Sequence, residues 1–146
     1  MTPATPSISA EQWRAMNPWP AVASWSGGVL TVTIRIPDSS LSPNSRCHWS
    51  RKAKAAKAMR EAVARAVRWW ELQPAWKAAT FQATFHWPDK RHRDDDNAMA
   101  SLKSARDGLA DAGVVVNDRV FTTLPASMLY DKARPRVEII VREIKA

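Results

Sequence analysis

The chain is poor in the residues that build the commonest specialised sites. Its one cysteine, Cys47, excludes an intrachain disulfide framework and an all-cysteine zinc site, and suits a reducing compartment. Four glycines in 146 residues make no phosphate-cradling loop. Neither GxxxxGK[ST] nor GxGxxG occurs, which excludes a nucleotide cofactor. The three histidines and Cys47 have no HxxxH or CxxC pairing, so zinc spacing is absent. Long apolar runs are missing as well: the longest uncharged window, Ala15 to Ile34, contains Pro18, Pro20, Gly27 and Gly28 and makes a poor membrane helix. The N-terminus has neither a basic n-region nor an apolar h-region, so the expected location is cytoplasmic, with no membrane partner.

Negative charge is scarce too. Fourteen acidic residues face 22 Lys and Arg, a net charge of +8 with a pI near 10.3, and the natural partner of such a surface is a polyanion, nucleic acid first. Hydrophobic residues at 45% and charged residues at 25% are globular proportions, and the length suits a single domain. Residues 1–26, rich in Pro, Ser and Thr with Trp13, Trp19 and Trp25 six apart, are expected to be an irregular extension. Residues 27–146 are expected to form an α+β domain, a mixed β-sheet with two main helices.

The first strand is expected over Gly28–Pro37, where β-branched residues alternate. A loop over 38–50 carries Asn44, Arg46, His48 and Trp49, polar and aromatic groups within reach of a substrate. A helix is expected from Arg51 to about Leu72 with Ser50 as its N-cap. Met59, Val63, Val67 and Trp70 form its apolar stripe, while Lys54, Lys57, Arg65 and Arg68 gather opposite, suited to DNA phosphates. Lys77–Trp87 alternates as a second strand, a helix is expected over Asn97–Ala112 ended by Gly113, and further strands over Arg119–Leu129 and Arg136–Glu143.

The chemistry concentrates between these elements. Asp94, Asp95 and Asp96 follow Lys90, Arg91 and Arg93, a carboxylate cluster in a basic chain. Such a cluster suits Mg²⁺, which takes oxygen ligands and keeps waters for a substrate phosphate. In an extended segment Asp94 and Asp96 point to one side and can share an ion. With Asp96 as the first helical position, Ala100, Lys103 and Asp107 fall on its stripe, and Ala98, Leu102, Ala105 and Leu109 fall opposite. The same residues also read as an N-cap, first-turn acids and a Lys103–Asp107 surface pair.

The stretch RDDDNAMASLKSARDGLADAGVVVND, residues 93–118, resembles the RusA-type Holliday junction resolvases, in a phage-like subgroup. Arg93, Asp94, Asp96, Asn97, Lys103, Asp107, Leu109, Ala112, Gly113 and Asp118 carry the resemblance, which covers about residues 28–143. Two departures stand out: Lys103 lies six residues after Asn97 where some members have it three after, and Asn117 replaces a frequent first Asp. The resemblance implies a RusA-like fold, Asp94, Asp96 and Asp118 as ligands of Mg²⁺ (Mn²⁺ can substitute), and Lys103 as the catalytic lysine. It also implies a homodimer acting on four-way DNA junctions by paired symmetric nicks, in a bacterial or phage setting. Asn44, Arg46, Arg91 and Arg93 join the basic helix as expected DNA contacts. Two rival readings are a nuclease for flaps or forks and a non-catalytic DNA-binding protein.

Overall fold

The computed structural model describes residues 21–68 and 74–145. Its first strands, β1 (Ala21–Ser26) and β2 (Val29–Ile34), form an antiparallel hairpin across Gly27-Gly28. Both glycines have positive φ, +57° and +78°, as a two-residue turn between right-twisted strands requires. The expected boundary at residue 26 is therefore corrected: residues 21–26 are sheet, folded back on β2 by that turn. Trp25 stacks on Trp76 with ring centroids 5.4 Å apart; Trp13 and Trp19 lie outside the described residues.

A short 3-10 turn, Ser39–Leu41, precedes helix α1 (Trp49–Arg68). Ser50 is not its cap. The Nδ1 of His48 accepts the backbone N–H of Ser50 at 3.2 Å, so the ring nitrogen does that work and the helix starts earlier. The expected end at Leu72, with Trp70, lies outside the described residues. Strand β3 (Ala79–Trp87) follows, then α2 (Asp95–Ala100) and α3 (Lys103–Asp111) in place of the one helix expected over Asn97–Ala112. The chain tightens between them, where the N–H of Leu102 bonds to the carbonyl of Met99 at 3.0 Å. The apolar stripe of Ala98, Leu102, Ala105 and Leu109 nevertheless continues across the junction and is buried as expected. Gly113, at φ +85°, ends α3: its N–H bonds to Ala110 and that of Val114 to Leu109, the paired bonds of a Schellman motif.

Strands β4 (Phe121–Thr123), β5 (Ser127–Tyr130) and β6 (Arg136–Glu143) complete a six-stranded mixed sheet in the order β1-β2-β6-β3-β4, with β5 also on β3. The single strand expected over Arg119–Leu129 is broken because Pro125 has no N–H for the ladder. Its beginning is lost because Asn117 Oδ1 accepts the N–H of Arg119 at 2.9 Å, winding Asp118–Val120 into a 3-10 turn. β6 runs antiparallel to β2 and β3, whereas β4 and β5 run parallel to β3. Leu30, Val32, Phe81, Phe85, Ile139 and Val141 form the buried sheet face beneath Met59, Val63 and Val67 of α1 and Leu109 of α3. The chain is thus a single α+β domain with a mixed sheet and helices packed on it.

Helices α1 and α3 meet at Gly108, where a Cβ would lie 2.5 Å from the carbonyl oxygen of Arg60 and 3.0 Å from Val63 Cβ. A methyl group there must push the helices apart. Gly108→Ala is expected to lower unfolding free energy by about 1–3 kcal/mol, read from urea denaturation, despite alanine's better helix propensity.

Candidate active site

Strand β3 ends at Trp87, and the segment after Pro88 delivers the aspartates. Arg93 holds that segment in shape. Its Nη1 donates to the carbonyl oxygens of Asp89 at 2.9 Å and Arg91 at 3.0 Å and pairs with Asp89 Oδ1 at 2.8 Å. The guanidinium also sits 4.3 Å from the Trp87 ring centroid. The backbone N–H of Arg91, and then the Arg93 side chain, hold the Asp89 carboxyl below its ordinary value of 3.8. Arg93, expected to contact DNA, therefore spends its donors on the loop, and its side chain is only 16% exposed. Arg91 stays exposed, with Nε 3.9 Å from Asp89 Oδ1.

Asp94 is the N-cap of α2, its Oδ1 accepting the N–H of Asn97 at 3.0 Å. Asp95 and Asp96 occupy the first turn, where the helix dipole favours negative charge. The expected extended alternation of Asp94 and Asp96 is not realised, because the helix begins at Asp95. All three carboxylates are exposed. Among the described residues no ion pair engages them or Asp118, while Asp38, Asp89, Asp107, Asp111, Asp131, Glu61 and Glu138 all have Lys or Arg partners. Beside Asp94 lies a groove of about 430 Å³ whose walls include Ile36, Asp38, Trp87, Arg91 and Asn97.

Asp118 is elsewhere. It precedes β4, whose Phe121 pairs with Ala79 at the start of β3, whereas Asp94 follows the end of β3 at Trp87. The two segments therefore leave β3 at opposite ends of a strand roughly 25 Å long at about 3.3 Å per residue. Asp118 instead acts on Arg60 and Arg106. Arg60 is held firmly protonated, chiefly by its hydrogen bonds to Asp111 at 2.6 and 2.8 Å, with Asp107 and Asp118 farther away. Burial pushes the Arg106 guanidinium down, against Asp118 and Asp107. Among the described residues no three His, Cys, Asp or Glu side chains gather into a metal-holding group. One protomer therefore does not bring Asp94, Asp96 and Asp118 together, because the parallel connection between β3 and β4 puts its two ends at opposite ends of the sheet.

Lys103 shares the exposed stripe with Asp96 and Ala100, and its Nζ lies 3.5 Å from Asp107 Oδ2. Asp107 is also 3.9 Å from Arg60, so its carboxylate is shared between two cationic side chains. On α1, Lys54, Lys57 and Arg65 are exposed, with Lys57 3.9 Å from Glu61; the Arg68 side chain lies outside the described residues. Asn44 and Arg46 are exposed in the loop before α1. The Asp38 wall of the groove was missed in the sequence, although a Pro-Asp step after a strand is a usable turn signal.

Magnesium is commonly held by one or two carboxylates together with waters and substrate phosphate. Asp94 and Asp96 fit that donor chemistry, being exposed hard oxygens without a cation of their own. Asp118 of the same protomer does not complete the set.

The chain is 35% identical over 115 residues to an uncharacterized protein of Xylella fastidiosa (strain Temecula1 / ATCC 700964), spanning 76% of this chain and 73% of that protein. No family model matches. Among solved structures, the OmpA-like domain of FopA1 from Francisella tularensis aligns over 90% of this chain and 85% of its own, at 12% identity and a TM-score of 0.40.

The two kinds of arginine and lysine are separable by experiment. Replacing Lys54 and Arg65 with Gln is expected to flatten the slope of log K for DNA against log salt by roughly 0.9 per lost phosphate contact. Arg93→Gln is expected to lower the melting temperature and leave that slope unchanged. The stability that the Arg93–Asp89 latch contributes is expected to be complete above pH 3.8, the ordinary carboxyl value, and to be lost as pH falls through the lower value of the folded carboxyl, read as a difference between wild type and Arg93→Gln in urea denaturation across that range.

Proposed function

The chain belongs to the family of that Xylella fastidiosa protein, and we propose that it is a Mg²⁺-dependent endonuclease for branched DNA that resolves four-way junctions as a homodimer. The observation that carries this reading is the run Asp94-Asp95-Asp96: in a chain of net charge +8 these exposed carboxylates take no cationic partner among the described residues. Adjacent like charges repel, the N-terminus of α2 offsets part of that repulsion, and a bound cation would offset the rest. The resemblance of residues 93–118 to RusA-type resolvases supplies the reaction class.

Asp94 and Asp96 hold the metal in this reading. A bound metal would offset charge on a phosphate oxygen and lower the pKa of a water, suiting hydrolysis in which the water's oxygen bonds to phosphorus as the bond to the leaving 3′ oxygen breaks and that oxygen takes up a proton. Arg91 and Arg46 orient the phosphate, and the basic face of α1, with Lys54, Lys57 and Arg65, follows the flanking backbone. Lys103 lies along the same exposed stripe as Asp96, where its charge offsets negative charge developing in the transition state.

Asp118 takes part from the partner subunit. A two-fold interface in which one end of the fold meets the other end of a second copy makes that contact twice. Two composite sites related by that axis match a junction that needs two symmetric nicks. The cap that Asp94 provides to α2 favours the rival reading, a non-catalytic DNA-binding protein, for which the acids are structural.

Cleavage of a synthetic four-way junction with and without Mg²⁺ decides between them. Asp94→Asn and Asp118→Asn are each expected to abolish cleavage while junction binding persists. Mixing the two inactive proteins, with time to exchange subunits, is expected to restore nicking of one strand, because one of the two composite sites is then intact. Continued silence of the mixture would place each site within one protomer; no Mg²⁺-dependent cleavage by the wild type would leave the binding protein.

A further inference from the structure

Trp49 is 75% exposed, the most exposed large hydrophobic side chain among the described residues. Tryptophan is seldom left so open, because its ring is the largest apolar surface a side chain has. The neighbouring His48 ring lies 5.4 Å away, tilted by 33°, and is itself held by Ser50, whose Oγ is 2.7 Å from His48 Nδ1. The two rings form a short aromatic ledge at the start of α1.

The ledge is linked to the candidate active site through Arg51. Arg51, two residues on, bonds through Nη2 to Asp38 Oδ1 at 3.1 Å and to Ser39 Oγ at 3.2 Å. Asp38 and Ser39 form one wall of the groove whose other wall carries Asp94 and Asn97. The clamp therefore ties the base of the ledge to the aspartates.

Charge selects the occupant. From Ser39 to Arg60 there are six Lys or Arg and no carboxylate. Arg46, Lys52 and Lys54 take no ion pair among the described residues. A second copy presenting the same surface would be repelled, whereas a polyanion is attracted. Within intact duplex the faces of the bases are covered by their neighbours; only an unpaired or unstacked base offers a ring to an aromatic side chain.

We infer that Trp49 stacks on an unstacked base at the DNA branch point, beside the phosphate that reaches Asp94. This rests on the nuclease reading for its substrate and adds the contact that distinguishes a branch from duplex.

The test uses a four-way junction with 2-aminopurine at the branch point and a matching duplex, in EDTA so that binding is read without cleavage. Wild-type protein is expected to quench the branch-point fluorescence. Trp49→Ala is expected to leave it bright and to weaken junction binding by about 5- to 150-fold, with duplex affinity nearly unchanged. Trp49→Phe, which keeps a ring, is expected to restore part of both signals. Equal quenching and affinity in Trp49→Ala would overturn the assignment, as would a change of oligomeric state in light scattering, which would give the ring to a contact between copies. Quenching without Mg²⁺-dependent cleavage would sink the nuclease and leave the stacking contact standing. Cleavage without quenching would do the reverse.

Discussion

The parallel pairing of β4 with β3 is the constraint from which the rest of the architecture follows. A parallel neighbour cannot be reached by a tight turn, so the chain must leave the end of β3, travel back the length of the strand and start again beside Ala79. Helices α2 and α3 are that return path, and their apolar stripe buries against the sheet as they make it. The connection begins with Asp94–Asp96 and ends with Asp118, so the topology itself holds the two acidic positions apart. Gly108 lets the returning helix lie directly on α1, with Arg60 bonded to Asp111 across the contact.

Electrostatics divides the same surface into settled and unsettled parts. Arg60, Arg93 and Arg136 each bind carboxylates through short hydrogen bonds, and these pairs brace the helix contact, the loop after β3 and the start of β6. Arg46, Lys52 and Lys54 on one side, and Asp94–Asp96 on the other, have no such partners among the described residues. Of these unpaired groups only Asp94 lines the groove, where Arg91 lies among the other lining residues, so positive and negative side chains share its wall.

Much of the fold was legible in the residues. Alternation located β2, β3 and β6, and the stripe of Ala98, Leu102, Ala105 and Leu109 located the buried face of the second helical region. Gly113 marked its end. Strand β1 was missed although Gly27-Gly28 between two apolar runs is itself a hairpin signal, outweighed by the Pro- and Trp-rich sequence before it. The break at Pro125 was also readable, and was overridden by the β-branched residues around it. The site was legible as a set of residue types but not as an arrangement. Nothing in the spacing of Asp96 and Asp118 reveals that a whole strand length intervenes, because sequence separation along a crossover says little about which end of the sheet it returns to. Arg93 likewise looks like a phosphate ligand until the carbonyls of Asp89 and Arg91 are seen to face it.

The interruption at Pro125 bears on how copies of this chain can meet. An open strand edge offers a row of unpaired amides to which another molecule's strand can add, and long flat edges invite runaway association. Here the edge beyond β3 is divided between the three residues of β4 and the four of β5, with an imino acid between them. Neither piece is long enough to template a continuous intermolecular ladder. Among the described residues, then, any association through that edge would be specified by side chains, and a change of surface residues would tune or abolish it without disturbing the sheet.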